Sequence, residues 1–486
     1  MNYKDIKTLG DLKKAGYKSI SIKDELRNNL IAKLKNNETV FEGVWGYENT
    51  VIPELETAIL SRHNINLLGL RGQAKTRLAR LMITLLDEYI PIVAGSEIND
   101  DPFFPISRYA KELIKEKGEE TPIVWLHREE RFFEKLATPD VTVADLIGDI
   151  DPIKAMNLKL NYADDRVIHF GMIPRANRSI FVINEIPDLQ ARIQVALFNI
   201  LQEGDVQIRG FKVRLPLDIQ FVFTANPEDY TNRGSIVTPL KDRIGSQILT
   251  HYPESVEIAE KITQQEAKLL QEQKEGVYVS KLARKLVEQI SFEARKSEYV
   301  DVKSGVSARM SISIFENLLS TAERRAFLTA DDTTSVRLLD FFGTIPAITG
   351  KIELVYEGEQ EGANAVAQHL IGSAIKTLFV EIFPEIKKLR KETEESPYDN
   401  LSAWFLTNEI ELLDDMDDTY FNDQLNNIQP LEVLINKYEP NLNEKDKPFL
   451  KELILWALSE FKILNKERFT RGFQYNDPLS SYIRRI

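Results

Sequence analysis

The sequence predicts an α/β fold in which helices cover both faces of a parallel β-sheet, followed by a region that is almost entirely helical. Two patterns support this. Short apolar runs rich in β-branched and aromatic residues alternate with amphipathic helical segments between residues 60 and 255, as in parallel sheets buried on both faces. From about residue 256 onward the periodicity is helical.

Five apolar runs are the candidate strands of the sheet: Asn64–Leu68, Pro122–His127, Ile180–Asn184, Ile219–Thr224 and Gln247–Tyr252. A helix after the first run should carry one apolar face, made by Leu78, Leu81, Met82, Leu85, Leu86 and Tyr89. A helix after the third should carry another and end at Gly204; its face is made by Leu189, Ile193, Ala196, Leu197, Ile200 and Leu201. Alternating apolar residues on both sides of a turn predict a β-hairpin at Val206–Leu215.

Composition excludes several classes of protein. The 486 residues include 62 Lys and Arg against 75 Asp and Glu, a net charge of −13, which argues against a uniformly basic nucleic-acid binder. The absence of cysteine excludes disulfides, thiolate metal sites and a cysteine nucleophile. We find no apolar run near the roughly 18–20 residues of a membrane span and no signal peptide, so we expect a soluble cytoplasmic protein.

A candidate phosphate-binding loop, GLRGQAKT, directly follows the first apolar run and leads into an amphipathic helix. A turn in that place aims backbone N–H groups at phosphates, Lys75 can reach the β- and γ-phosphates, and the Thr76 hydroxyl can bind Mg²⁺. Ala74 stands where the general motif has glycine, which alanine tolerates if its φ is negative. The predicted cofactor-binding residues are Gly69, Gly72, Gln73, Ala74, Lys75 and Thr76.

Polar residues also end the third and fourth apolar runs. In P-loop ATPases the third strand ends in an acid that holds Mg²⁺ through water, then a glutamate that polarises the attacking water. Glu185 fits the second role, and Asn226 after the fourth run can touch the γ-phosphate and that water. Asn184 keeps an acceptor oxygen but lacks a full charge. We therefore expect weaker Mg²⁺ binding or slower turnover, and we expect Asn184→Asp to reverse both.

Together these motifs resemble those of AAA+ ATPases, in particular the branch of the MoxR proteins and the I subunit of magnesium chelatase. The phosphate loop is similar to that branch's G-x-P-G-x-A-K-T. Ala137–Gly148 resembles its segment after the second strand, and Gly171–Ser179 is similar to its G-x-L-x-x-A-N-R-G. The resemblance covers about residues 35–330.

The resemblance implies ATP and Mg²⁺ as cofactors, with Thr76 and Asn184 at the metal. It implies four catalytic residues: Glu185, Asn226 as the first sensor, Arg243 as an arginine finger that reaches the neighbouring subunit's ATP, and Arg309 as the second sensor on a helical lid. It also implies a hexameric homo-oligomeric ring with a protein partner, for which a von Willebrand or integrin-type domain protein is one option. The hairpin and an insert at Asp151–Arg166 would contact partners or substrates.

These observations define four expected domains: a helical arm (1–38), an AAA+ P-loop αβα sandwich with a five-stranded parallel sheet (39–255), an α-helical lid (256–345) and an all-α C-terminal extension (346–486). The preferred function is an ATPase that hydrolyses MgATP between subunits of a ring and remodels or activates a partner. Two alternatives stay open, a motor subunit of a magnesium or other metal chelatase in tetrapyrrole synthesis and an ATP-gated scaffold without hydrolysis. An enhancer-binding transcription activator is less favoured, because we find neither a G-A-F-T-G-A loop nor a helix-turn-helix signature.

Overall fold

The chain forms two compact units, Met1–His251 and Tyr252–Ile486. The structure is a computed structural model that describes residues 5–159, 167–203, 205–206, 215–227, 236–386, 396–469 and 471–478. The candidate nucleotide site predicted from the phosphate loop lies in the first unit.

The first unit is built around a parallel sheet. The described strands of the whole first unit are β1 (Ile65–Leu68), β2 (Tyr89–Val93), β3 (Ile123–His127), β4 (Phe132–Leu136), β5 (Gly148–Ile150), β6 (Ile168–Phe170), β7 (Ser179–Asn184), β8 (Asp205–Val206), β9 (Leu215–Pro216), β10 (Ile219–Ala225) and β11 (Ser246–Leu249). Five of them form one sheet in the order β11-β1-β10-β7-β4, with every pair parallel. The predicted five-stranded parallel sheet is therefore confirmed.

Helices flank this sheet, and two apolar cores cover its faces. The α-helices of the first unit are Leu9–Lys14, Ile22–Lys35, Val51–Leu60, Lys75–Leu81, Arg108–Lys117, Val143–Leu146, Pro152–Leu158, Met172–Arg175, Ala191–Glu203 and Thr238–Asp242. Because side chains alternate along a strand, Ile180 and Val182 join one core while Phe181 and Ile183 join the other. The predicted helix after β7 is present, with Ile193 and Leu197 buried.

The prediction for the second strand was wrong. The run Pro122–His127 forms β3, but β3 pairs antiparallel with β2 in a separate two-stranded ribbon. The strand of the main sheet that pairs with β7 at one edge is β4, whose residues are half-buried or exposed, so it does not form a continuous apolar run. The first predicted helix was also too long. Its α-helical part ends at Leu81, a 3₁₀ turn spans Met82–Leu85, and Tyr89 already belongs to β2.

The second unit is mainly helical. Its α-helices are Val256–Glu266, Gln271–Gly276, Lys281–Lys296, Arg309–Thr329, Ile345–Thr349, Tyr356–Glu361, Ala363–Ile382, Asp399–Phe405, Asp418–Asn426, Gln429–Tyr438 and Lys447–Glu460. The helix Ala363–Ile382 is long and apolar enough to cross a membrane by length and composition, contrary to the expectation that the chain has no apolar run of this length. Residues such as Leu370, Ile371 and Phe379 on that helix are buried in the core of the second unit.

The expectation of an all-α C-terminal extension was wrong. The second unit contains strands β12 (Val277–Tyr278), β13 (Thr334–Ser335), β14 (Ile410–Leu413), β15 (Asn465–Phe469) and β16 (Gly472–Asn476). The last three form an antiparallel sheet in the order β14-β16-β15. Its strands are short, and β15 carries mostly polar residues, so the helical periodicity of the neighbouring segments masked them.

Candidate nucleotide-binding site

The phosphate loop joins β1 to the helix that begins at Lys75. Two loop residues have left-handed backbones, Gly72 with φ of 75° and Ala74 with φ of 54°. Ala74 therefore does not meet the condition of a negative φ that the sequence analysis set for alanine at this position. The chain reverses direction within a few residues between strand and helix, and it does so with a left-handed residue immediately before the helix. Among residues that have a Cβ atom, alanine has the smallest side chain, so it is one of the easier residues to place in this left-handed conformation.

Lys75 lies inside the loop and is only 8% exposed. Its Nζ donates hydrogen bonds to the carbonyl oxygens of Gly69 and, at 3.2 Å, Leu70. Burying an ammonium group is costly unless polar atoms surround it. The lysine is thus held at the C-terminal end of β1, where a phosphate group would offer stronger charge-assisted hydrogen bonds.

Hydrogen bonds from Thr250 and Tyr47 to Gln73 hold the phosphate loop in place. The Oε1 of Gln73 accepts a hydrogen bond of 2.7 Å from Thr250 Oγ1. The hydroxyl of Tyr47 lies 3.0 Å from the carbonyl oxygen of Gln73 and 2.7 Å from that of His251, and its single proton is shared between these two acceptors. A Cβ atom at Gly69 would collide with the side chains of Thr250 and Gln73. The side chain of Gln73 therefore stabilises the loop, and Tyr47 and Thr250 are supporting residues that the sequence motifs did not reveal.

The ends of β7 and β10 place polar side chains next to the loop. Asn184 Oδ1 accepts a hydrogen bond of 3.1 Å from Thr224 Oγ1 and lies 3.5 Å from Thr76 Oγ1. Glu185 follows with a left-handed backbone, φ of 55°, and its N–H donates to Thr224 Oγ1 at 3.1 Å. The structure thus brings the two predicted metal-binding residues together. Hydroxyl and amide oxygens are among the hard ligands and acceptors that suit Mg²⁺ and its waters.

Asn226 follows β10 and is 6% exposed. Within the described part of the chain, its Oδ1 has no hydrogen-bond partner. A buried acceptor without a donor costs free energy, so such an atom in a native site indicates a functional role. This amide oxygen could accept a hydrogen bond from a bound water molecule. The residues at the ends of β1, β7 and β10 together fit MgATP.

The structure adds a residue that sequence reasoning missed. Glu134 on β4 accepts a hydrogen bond of 2.6 Å from Asn184 Nδ2 through its Oε1. Its Oε2 pairs with Arg80 at 2.6 Å. Because β4 was not recognised as a strand of the sheet, no sequence signal placed this carboxylate beside the end of β7.

The two predicted arginines belong to different units of the chain. Arg243 caps the helix Thr238–Asp242, its side chain is 40% exposed, and it pairs with Asp242. Its guanidinium lies over the Phe198 ring, 5.6 Å from the centroid. Arg309 is an exposed residue that begins the helix Arg309–Thr329 in the second unit.

Both predicted partner loops lie partly outside the described residues. The strands β8 and β9 pair antiparallel, with Val206 opposite Leu215, which confirms the ends of the hairpin. Its tip, 207–214, lies outside the described residues. The insert begins with the helix Pro152–Leu158, on which Ile153 and Met156 are exposed, and its residues 160–166 also lie outside them.

Comparison with known proteins agrees with this geometry. Residues 161–245 match the family described as the Sigma-54 interaction domain. The 38 kDa subunit of magnesium chelatase from Cereibacter sphaeroides is 26% identical over 208 residues, which cover 41% of this chain and 54% of that protein. The chain therefore spans about half the length of that curated relative.

Two solved structures are also similar. The complex between subunits BchI and BchD of magnesium chelatase, from a cryo-EM reconstruction, has 19% identity and a TM-score of 0.34, and the match covers 66% of this chain and 98% of that one. The crystal structure of a candidate ATPase from Cytophaga hutchinsonii has 18% identity and a TM-score of 0.30, and the match covers 74% of this chain and 97% of that one.

The first unit has a P-loop αβα sandwich of the AAA+ type, and residues 161–245 within it match the Sigma-54 interaction domain. Within that class, the chain is similar to the 38 kDa subunit of magnesium chelatase. The resemblance predicted from the sequence is confirmed.

Proposed function

We propose that this chain binds MgATP at the phosphate loop of its first unit and hydrolyses it between the subunits of a hexameric ring. The energy released would remodel or activate a protein partner in the cytoplasm. The observation that carries the proposal is Lys75, a buried ammonium group at the C-terminal end of β1, beside the strand end that carries Asn184. Bound ATP would place negative charge where that ammonium group already lies.

Each polar residue at the strand ends has a distinct role in this proposal. Thr76 and Asn184 would hold Mg²⁺ and its waters through their hydroxyl and amide oxygens. Glu185 accepts a proton from the attacking water, and Asn226 orients that water through the amide oxygen that has no partner among the described residues. Bound Mg²⁺ would offset the charge that develops on the phosphate oxygens.

The two arginines complete the proposed mechanism. Arg243 is exposed enough to reach a neighbouring subunit, and its present partner Asp242 is itself exposed, so releasing that pair costs little. A guanidinium supplied across an interface stabilises the charge that develops in phosphoryl transfer. Arg309, exposed at the start of its helix, is assigned to the second sensor on the resemblance alone.

Nucleotide titration of a Lys75→Ala variant tests the assignment. We expect no saturable binding of a fluorescent ATP analogue, because the phosphates lose the main cation of the loop. Lys111→Ala, which removes an exposed lysine on another helix, is the matched control and should bind like the parent. Equal affinity of Lys75→Ala and the parent would contradict the phosphate-loop assignment.

A second candidate function is a motor subunit of a magnesium or other metal chelatase. The observation that favours it is the 26% identity to the magnesium-chelatase 38 kDa subunit. The proposed partner is then a protein with a von Willebrand or integrin-type domain, together with a porphyrin-binding subunit. Stimulation of ATPase activity by such a partner and a porphyrin would support this candidate, and stimulation by an unrelated protein alone would contradict it.

A third candidate is an ATP-gated scaffold, which the amide at position 184 favours because it lacks the charge of an acid. Steady-state ATPase measurements at saturating MgATP distinguish it from a motor. Tight ATP binding without turnover above that of Glu185→Gln would support the scaffold, whereas turnover that Glu185→Gln abolishes would support the motor.

A further inference from the structure

The two amide atoms of Asn184 face different surroundings. Nδ2 donates to Glu134 Oε1 at 2.6 Å, while Oδ1 faces the hydroxyls of Thr224 and Thr76. An ionised carboxylate only accepts hydrogen bonds, so the opposite orientation would set two acceptor oxygens against each other. Glu134 therefore fixes which atom of Asn184 points toward the phosphate loop.

Glu134 also brings a negative charge to this position. In the register of β4 against β7, Glu134 lies opposite Val182 and Leu136 lies opposite Asn184. Residues two apart along a strand share a face of the sheet. The carboxylate that is absent at position 184 is thus present on the same face, one strand away and within hydrogen-bond distance of the amide.

Arg80 pairs with Glu134 on the more exposed side of this carboxylate. The Arg80 side chain is 63% exposed and the Glu134 side chain 26% exposed, whereas Asn184 as a residue is 9% exposed. Solvent screens an ion pair with so exposed a partner, and such pairs contribute roughly 0–1 kcal/mol. Toward the buried amide the same carboxylate is screened much less, and its short charge-assisted hydrogen bond polarises Asn184.

We propose that Glu134 is a positioning residue, and that Glu134 and Asn184 together replace the single aspartate expected at the end of β7. Asn184 supplies the oxygen that faces the metal shell, and Glu134 supplies the charge and orients the amide. This inference rests on the proposed MgATP site. It also changes the expectation for Asn184→Asp, which alone sets two carboxylates against each other and should not improve Mg²⁺ binding.

The test measures the Mg²⁺ concentration that half-saturates binding of a fluorescent ATP analogue, so it does not depend on turnover. Glu134→Gln keeps an acceptor for Asn184 Nδ2 but removes the charge, and should raise this concentration on the order of tenfold, about 1.4 kcal/mol. Glu130→Gln removes an exposed carboxylate nearby and is the matched control, expected to behave like the parent.

The double variant Glu134→Gln/Asn184→Asp moves the charge to the strand end and should restore the Mg²⁺ requirement of the parent. Such a rescue would show that Glu134 acts on metal binding and does not merely stabilise the structure. The Mg²⁺ requirement of the double variant can be measured even if Glu134→Gln alone folds poorly. The pair of substitutions is expected to be non-additive because the two side chains are in contact.

Two results would overturn the proposal. One is an unchanged Mg²⁺ requirement in Glu134→Gln. The other is a double variant no better than Glu134→Gln. If Lys75→Ala abolishes analogue binding in the same assay, the proposed nucleotide site survives either result. A parent chain that does not bind the analogue at all would overturn both proposals.

Discussion

The left-handed backbone at Ala74 can be tested by a glycine substitution, because the backbone conformation decides whether that substitution raises or lowers the stability of the first unit. Ala74 has φ of 54° and ψ of 17°. An L-residue in this region costs about 1–2 kcal/mol, which glycine does not incur. Glycine loses about 0.4–1 kcal/mol more in unfolded-chain entropy. Ala74→Gly should therefore stabilise the first unit by roughly 1 kcal/mol.

A negative φ at Ala74 would predict the opposite effect of the glycine substitution on stability. If Ala74 were an ordinary helical residue with negative φ, glycine would destabilise the unit by about 0.5–1 kcal/mol. Ala79, buried in the helix Lys75–Leu81, provides the matched control. Ala79→Gly should destabilise the unit by about 1 kcal/mol from helix propensity alone.

Native-state hydrogen exchange resolves this effect, because peptides from β1 report on the first unit only. A gain of about 1 kcal/mol slows exchange roughly fivefold where exchange requires unfolding of that unit. We expect slower exchange in Ala74→Gly and faster exchange in Ala79→Gly. Faster exchange in both variants would refute the left-handed assignment of Ala74.

Two further predictions concern catalysis and pH. Arg243→Ala should keep ATP-analogue binding and lower the ATPase rate by roughly 10³-fold or more, and mixing with Lys75→Ala subunits should recover activity; mixed rings without activity would exclude action across subunits. Burial raises the pKa of Glu452 from 4.5 to about 8. The folded chain thus retains a proton that the unfolded chain releases, and this stabilisation is complete below pH 4.5 and lost as the pH rises toward 8. Glu452→Gln should gain stability relative to the parent between these pH values in urea unfolding, and a difference independent of pH would contradict the raised pKa.

Most of the sheet and part of the site could be predicted because their signals are local. Strands β1, β7 and β10 are buried on both faces, so each reads as a continuous apolar run. The phosphate loop is a contiguous motif, and Asn184 directly follows its apolar run. In these places, neighbouring residues in the sequence determine the structure.

The missing parts depend on contacts between distant residues. Strand β4 interrupts its apolar residues with Glu134 and Lys135, because an edge strand is partly exposed. The hydrogen bond between Glu134 and Asn184 spans 50 residues, and periodicity carries no information about it. For the same reason β3 was placed in the wrong sheet, since an apolar run does not specify its partner strand.

The buried ion pair of Glu25 and Arg131 has a consequence for the order in which the chain folds during synthesis. These side chains join across 106 residues, and Trp125 donates a hydrogen bond to the carbonyl oxygen of Ile6 across 119. The ribosome releases the N-terminal helices long before their partners exist, and closing so long a loop has an entropic cost. Apolar residues such as Leu12, which packs against Ile123, therefore stay uncovered until the β2–β3 ribbon has been synthesised.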